Sequence, residues 1–172
     1  MPSVHLVTGI QAAGKSTVAQ ALAERLPGPT VHVHGDQFRR WIVNCRTDMT
    51  PDAGPEALRQ LRLRHVLTAR TCDGYAEAGF TTVAQDIVLG DELTELVASV
   101  RTRPLHVVVL APSADAVQKR EAERPKDAYD RWTIEALDHS LRNETPRIGL
   151  WIDTSELSVD EILRRGDEAS IT

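Results

Sequence analysis

The sequence predicts an α/β domain: a parallel β-sheet with helices on both faces. Two observations lead there. Apolar runs of strand length alternate with helix-period segments along the whole chain, the order that right-handed β–α–β crossovers produce. Leu105 to Ala111 (LHVVVLA) is almost continuously apolar, the mark of a strand covered on both sides.

Taken in order, Val4 to Thr8 is a β-rich run that leads directly into Gly9. A helix is expected from Lys15 to Leu26, with Val18, Ala19, Leu22 and Leu26 on one stripe, ended by Pro27, Gly28 and Pro29. Val31 and Val33 alternate with His32 and His34 as a second strand, which stops at Gly35 and Asp36. His32 and His34 are expected to point to opposite faces and so not to pair. Phe38, Ile42 and Cys45 suggest a short helix. Arg46 to Pro55 (RTDMTPDAGP) holds turn formers without apolar period and reads as a loop.

A long helix is expected over Glu56 to Ala78, where Leu58, Leu61, His65, Ala69, Cys72 and Ala76 recur at spacings of three and four. Gly79 follows as its C-terminal cap. Phe80 to Asp86 is the third strand, Asp91 to Arg101 a helix, and Leu105 to Ala111 the fourth strand. Ala114 to Glu123 and Arg131 to Leu141 are helical, with Pro125 between them. Gly149 to Asp153 is the fifth strand, taken as central, and Val159 to Arg165 the closing helix.

Composition sets outer limits. The 172 residues fit one domain, and 41% hydrophobic with 26% charged residues fits neither a disordered chain nor a coiled coil. The formal net charge of −5 argues against broad, salt-driven binding of nucleic acid. Cys45 and Cys72 belong to no CxxC or Cys/His cluster, so neither a disulfide framework nor a structural zinc site is expected. No apolar stretch approaches membrane length, and Met1 to Val4 shows no basic leader pattern. A cytoplasmic location is expected.

One motif decides most of the functional reading. Gly9-Ile10-Gln11-Ala12-Ala13-Gly14-Lys15-Ser16 fits G-x-x-x-x-G-K-[ST] without mismatch, after a strand and opening a helix. A chance match in a chain of this length is roughly 1 in 100 or rarer. Glycines let backbone amides turn inward around phosphate oxygens, and the helix N-terminus adds positive potential. Lys15 would reach the β- and γ-phosphates of ATP, Ser16 would ligand Mg²⁺, and Gly9, Gln11, Ala12, Ala13, Gly14 and Thr17 complete the cradle.

The other landmarks separate P-loop classes. The chain has neither Asn-Lys-x-Asp nor Asp-x-x-Gly, as a GTPase would, and motor and AAA-type ATPases normally take longer chains. Small-molecule and nucleotide kinases remain. Asp36, at the carboxyl end of the second strand, is placed to accept the proton of an attacking hydroxyl, and Arg39 one turn on to steady an anion. Asp36 would serve equally as a helix N-cap. Asp86, ending the third strand, would hold Mg²⁺ through water. Arg120 and Arg124 flank a lid over residues 120–131 that closes on the phosphates. Trp41 would line an acceptor pocket or pack in the core, Trp151 packs in the core, and His65 reads as a satisfied core histidine. Arg59, Arg62, Arg64 and Arg70 read as solvated, or as the rim of an acceptor site.

GIQAAGKST, VHGDQFR, VAQDIVLGDEL, VVVLAPSADAVQKREAERPKD and GLWIDTSELSVDEI resemble, in order, segments of the small P-loop kinases. The resemblance is strongest to the chloramphenicol phosphotransferase-like group and looser to gluconate, adenylylsulfate and zeta-toxin-type kinases. It implies a P-loop NTPase fold with a five-stranded parallel sheet in order 2-3-1-4-5. It also implies ATP- and Mg²⁺-dependent phosphorylation of a small-molecule hydroxyl. Asp36 matches the group's general base, Arg120 and Arg124 its lid arginines, and Thr154 and Ser155 its adenine contacts. The third strand ends in two acids in that group, whereas Gln85 stands first here, and residues 46–54 match nothing clear. The expectation is therefore an antibiotic other than chloramphenicol. The alternatives are a metabolite kinase acting on a sugar acid, nucleoside or polynucleotide 5′ end, and a module that binds ATP without transfer.

Overall fold

A computed structural model describes residues 1–123 and 133–169 of the 172. The elements run β1 (Val4–Gly9), α1 (Lys15–Arg25), β2 (Thr30–His34), α2 (Asp36–Arg40), α3 (Pro55–Glu77), β3 (Thr81–Gln85) and α4 (Asp91–Ser99). They continue with β4 (Leu105–Leu110), α5 (Ala114–Ala122), α6 (Ile134–His139), a π-helical turn (Ser140–Glu144), β5 (Leu150–Ile152) and α7 (Val159–Ala169). Every strand pair is parallel, and the sheet order is β2-β3-β1-β4-β5, as expected.

The sheet is covered on both faces, so its middle strands bury apolar side chains on both sides, along with a few polar ones such as Thr8 and Thr82. Val7, Val83 and Val109 are fully buried at its centre, with Ile10, Leu93 and Leu96 packed around them. α1 packs beside α7 and α3 beside α4, so each helix closes apolar surface that its strand neighbours leave open. Burying a side chain of this size contributes roughly 1.5–3 kcal/mol. Among the described residues no helix is long and apolar enough to cross a membrane.

Four expectations need correction. Residues two apart on a strand share a face, and the His32 and His34 rings accordingly lie 3.9 Å apart. β5 is an edge strand, and Trp151 is half-buried with Arg147 over its ring at 4.0 Å. The short helix after β2 ends at Arg40 and does not reach Cys45, whose φ of 59° is incompatible with a right-handed helix. The expected helix over Arg131 to Leu141 is seen from Ile134 and passes into the π-helical turn, beyond Leu141; residues 131 and 132 lie outside the described residues.

The sheet order sets the site. β1 lies between β3 and β4, so its carboxyl end opens where successive crossovers diverge to opposite sides, the place ligands occupy in open α/β sheets. The ends of β2 and β3 lie beside it.

Candidate active site

The turn between β1 and α1 is shaped by backbone conformations that favour glycine. Gly9 has φ 146°, and a Cβ there would come within 2.5 Å of the Leu110 carbonyl oxygen on β4. Gly14 has φ 92° and Ala12 φ 59°, so the chain winds through left-handed conformations that turn successive amides toward one side. Gly14 occupies the N-cap position of α1, and no side chain caps that terminus. Ser113 and Thr133, by contrast, cap α5 and α6 with their hydroxyls. The positive end of α1 and its first amides suit an external anion. Lys15 is buried, and its Nζ donates to the Ile10 carbonyl at 2.7 Å.

This turn forms one wall of a cleft of about 760 Å³ lined by Gln11, Lys15, Ser16, Asp36, Arg64 and Asp86, among others. Ala12, Gly14, Thr17 and Arg39 also line it. Gly9, Ala13, Trp41, Arg120, Thr154 and Ser155 do not. Arg124 lies outside the described residues, as does most of the proposed lid.

Asp36 is the first residue of α2, directly after the turn that leaves β2. Its Oδ1 accepts from Arg39 Nε at 2.9 Å and its Oδ2 from Arg40 Nε at 2.7 Å. Arg64 Nη1 lies 3.7 Å from the same carboxylate. Burial pushes the Asp36 carboxyl up, but the hydrogen bonds from Arg39 and Arg40 and the charges of Arg39 and Arg64 outweigh it. The net effect holds Asp36 below the usual carboxylate range, ionised at neutral pH.

Arg39 also donates to Asp48 Oδ1 at 2.5 Å, tying α2 to the loop before α3. Gln60 holds the same loop from the other side, donating to the Cys45 carbonyl at 2.9 Å and accepting from Thr47 N at 2.9 Å. Ile42, Thr47, Asp48 and Met49 of that loop face the cleft.

Arg64 departs most from the sequence reading. Its side chain is only 12% exposed, not solvated, and it grips Asp86, which is 2% exposed. Arg64 Nε donates to Asp86 Oδ2 at 2.6 Å, and Arg64 Nη2 donates to Oδ1. Asp86 Oδ1 also accepts from Ile87 N at 2.8 Å. Arg59 and Arg62, as expected, remain exposed. His65 is buried as expected but only partly satisfied: it hydrogen-bonds the Ile87 backbone, while among the described residues its Nε2 has no partner. Trp41 is 65% exposed, packed edge-to-face on Phe38, so it belongs to no core.

Arg120 reaches back from α5 and bridges two loops. Its Nη2 donates to the Thr154 carbonyl at 2.5 Å, and Nη1 lies 3.5 Å from the Ala13 carbonyl. Thr154 is fully buried. Ser155 accepts from Ser113 N at 2.8 Å and donates to Asp153 at 2.5 Å, fastening the loop after β5 to the start of α5.

Two of the expected metal residues differ in fit. Ser16 lines the cleft and is exposed, so its hydroxyl suits a Mg²⁺ that also binds phosphate. Asp86 accepts three hydrogen bonds, two from Arg64 and one from the Ile87 amide, so its charge is already matched by a guanidinium. Among the described residues no cluster of three or more His, Cys, Asp or Glu could hold an ion.

The fold recurs in solved kinases. The APS kinase of Mycobacterium tuberculosis, in complex with AMPPNP and APS, matches with TM-score 0.72 at 18% identity, over 99% of this chain and 98% of that one. A sugar kinase from Janibacter sp. HTCC2649 matches with TM-score 0.71 at 16% identity, over 99% and 95%. The tunicamycin resistance protein of Deinococcus radiodurans matches with TM-score 0.66 at 19% identity, over 99% and 96%. No curated protein matches the sequence. The chain has a kinase-like P-loop fold, and because residues 4–146 match the sequence profile of the AAA domain family, it belongs to that family.

Proposed function

We propose that the protein is an ATP-dependent phosphotransferase that acts on a hydroxyl of a small molecule. The observation that carries this reading is convergence: Lys15, Ser16 and the uncapped start of α1 share one cleft with the ionised carboxylate of Asp36. Binding a nucleotide without transfer requires no carboxylate at that place.

In this reading the amides of residues 11–17 and Lys15 hold the β- and γ-phosphates and offset the charge that develops during transfer. Mg²⁺, when bound, supplies Lewis-acid neutralisation of the phosphate oxygens, with Ser16 as its protein ligand. Asp36 orients the acceptor hydroxyl and takes its proton as the oxygen attacks. Its lowered pKa makes it a weak base, so orientation carries more of the effect than basicity. Arg120 holds the loop containing Thr154 and Ser155, which we assign to the adenine side. Arg124 would close the lid.

The acceptor end of the cleft favours an antibiotic over a sugar acid. Arg39 is matched by Asp36 and Asp48, and Arg64 by Asp86, so little positive charge is left for an anionic acceptor. Ile42, Leu61, Leu89 and Leu137 give the cleft an apolar component. A neutral, amphipathic alcohol suits that balance. The structural likeness to a tunicamycin resistance protein supports the same class.

The test is Asp36→Asn. It should retain AMPPNP binding while phosphoryl transfer falls by about 10²–10⁴-fold. Unchanged transfer would remove Asp36 from this role.

A further inference from the structure

Asp86 stands where a P-loop enzyme commonly keeps a carboxylate for its metal, yet its surroundings describe another task. Both of its oxygens face the Nε and Nη2 edge of Arg64, and Oδ1 also takes the Ile87 amide. The turn that leaves β2 is shaped to leave room for it. Gly35 has ordinary right-handed dihedrals (φ −59°, ψ −36°), but a Cβ there would overlap the Asp86 carboxylate, with Cγ at 2.6 Å and Cβ at 3.0 Å. Glycine at that position is explained by close approach and not by backbone conformation.

The side-on grip has a consequence for the third guanidinium nitrogen. With Nε and Nη2 committed, Nη1 points to the other carboxylate and lies 3.7 Å from Asp36 Oδ1. That separation is too long for a hydrogen bond. An oxygen lying to one side of this pair, within reach of both, would receive a hydrogen bond from Nη1 and donate its own to Asp36.

We propose that Asp86 does not ligand the metal but is a positioning residue that anchors Arg64, and that Arg64 contacts the acceptor oxygen and frames it against Asp36. This rests on the phosphotransferase reading. The chain of contacts spans three elements: the end of β3 fixes the guanidinium, α3 carries it, and the start of α2 receives it. A bidentate pair fixes the plane of the guanidinium as well as its position, which a lysine at 64 could not reproduce.

Two measurements on the full chain test this, neither requiring a known acceptor. The first is calorimetric binding of AMPPNP with and without Mg²⁺, for wild type, Asp86→Asn and Arg64→Gln. Anchoring predicts that Mg²⁺ strengthens binding to the same degree, within twofold, in all three. A tenfold or greater loss of that Mg²⁺ effect in Asp86→Asn alone would make Asp86 a metal ligand and overturn the proposal. Wild type that binds no AMPPNP would sink the phosphotransferase reading itself, and this inference with it.

The second is slow hydrolysis of Mg·ATP, in which water takes the acceptor's place. Arg64→Gln and Asp86→Asn should each lower kcat at least tenfold and leave KM for Mg·ATP within twofold. Parallel changes in both constants, or in neither, would refute these roles of Arg64 and Asp86. Should Asp86→Asn fold poorly, the double variant Arg64→Gln/Asp86→Asn should melt above it, because no unmatched guanidinium is left buried. A double variant that melts no higher than Asp86→Asn would likewise refute the anchoring.

Discussion

Substituting alanine for glycine gives opposite results at two positions of this fold. At Gly74, inside α3, a Cβ would meet nothing within 4 Å. Gly74→Ala should therefore gain about 0.5–1 kcal/mol from reduced freedom of the unfolded chain. At Gly35 the backbone is equally permissive, and the same gain of up to about 1 kcal/mol is available. There, however, the added carbon overlaps the Asp86 carboxylate. Overpacking alone typically costs about 1–3 kcal/mol, and separating a buried ion pair costs up to about 3–5 kcal/mol. Only 2% of the Asp86 side chain and 12% of the Arg64 side chain are exposed, so the penalty is little relieved by water. A net loss of about 2–4 kcal/mol is expected after the backbone gain is subtracted. For a chain of this size each kcal/mol moves Tm by roughly 2–4 °C, so the two variants should melt roughly 5 °C or more apart, on opposite sides of wild type. Urea unfolding at pH 7.5 gives the free energies directly. Gly35→Ala that is as stable as Gly74→Ala would refute the packing of Asp86 beneath this turn.

Two other perturbations have signs set by the structure. Burial lowers His65 from 6.5 to about 4, against the raising influence of Asp86 and with that of Arg64. The unfolded chain thus binds the proton first, and stability is lost as pH falls from 6.5 toward 4. Between pH 7 and pH 5 the loss relative to a non-titrating His65→Gln should be about 2 kcal/mol by urea unfolding; parallel pH profiles would remove His65 as the cause. Arg120→Ala removes the link between Thr154 and the P-loop carbonyl of Ala13. It should weaken AMPPNP about tenfold by calorimetry, near the net worth of a charged hydrogen bond, and unchanged affinity would detach that loop from the nucleotide side.

How much of this was legible in the sequence follows from the range of each interaction. The five strands and the P-loop are written in local period and spacing, and their boundaries agree within one or two residues. The ion pair between Arg64 and Asp86 joins residues 22 apart, and a run of four arginines on one helix gives no sign of which one turns inward. The glycine at 35 could have raised the question, since it precedes a helix without needing a positive φ. The π-helical turn after α6 depends on a shift of hydrogen-bond register that apolar spacing does not encode. His32 and His34 were legible, because a period of two puts both on one face. Trp41 neither lines the cleft nor enters the core, because it directly follows a short helix that ends at the surface.

The central claim is that this cleft transfers a phosphoryl group to a small-molecule hydroxyl. The most direct measurement incubates the protein with Mg·ATP and hydroxylated antibiotics, nucleosides and sugar acids, and follows each compound by mass spectrometry. Wild type should phosphorylate a neutral, amphipathic antibiotic, and Asp36→Asn should form that product about 10²–10⁴-fold more slowly. A product only on an anionic metabolite would contradict the reading of the acceptor end. No product on any compound, with AMPPNP still bound, would contradict the phosphotransferase itself.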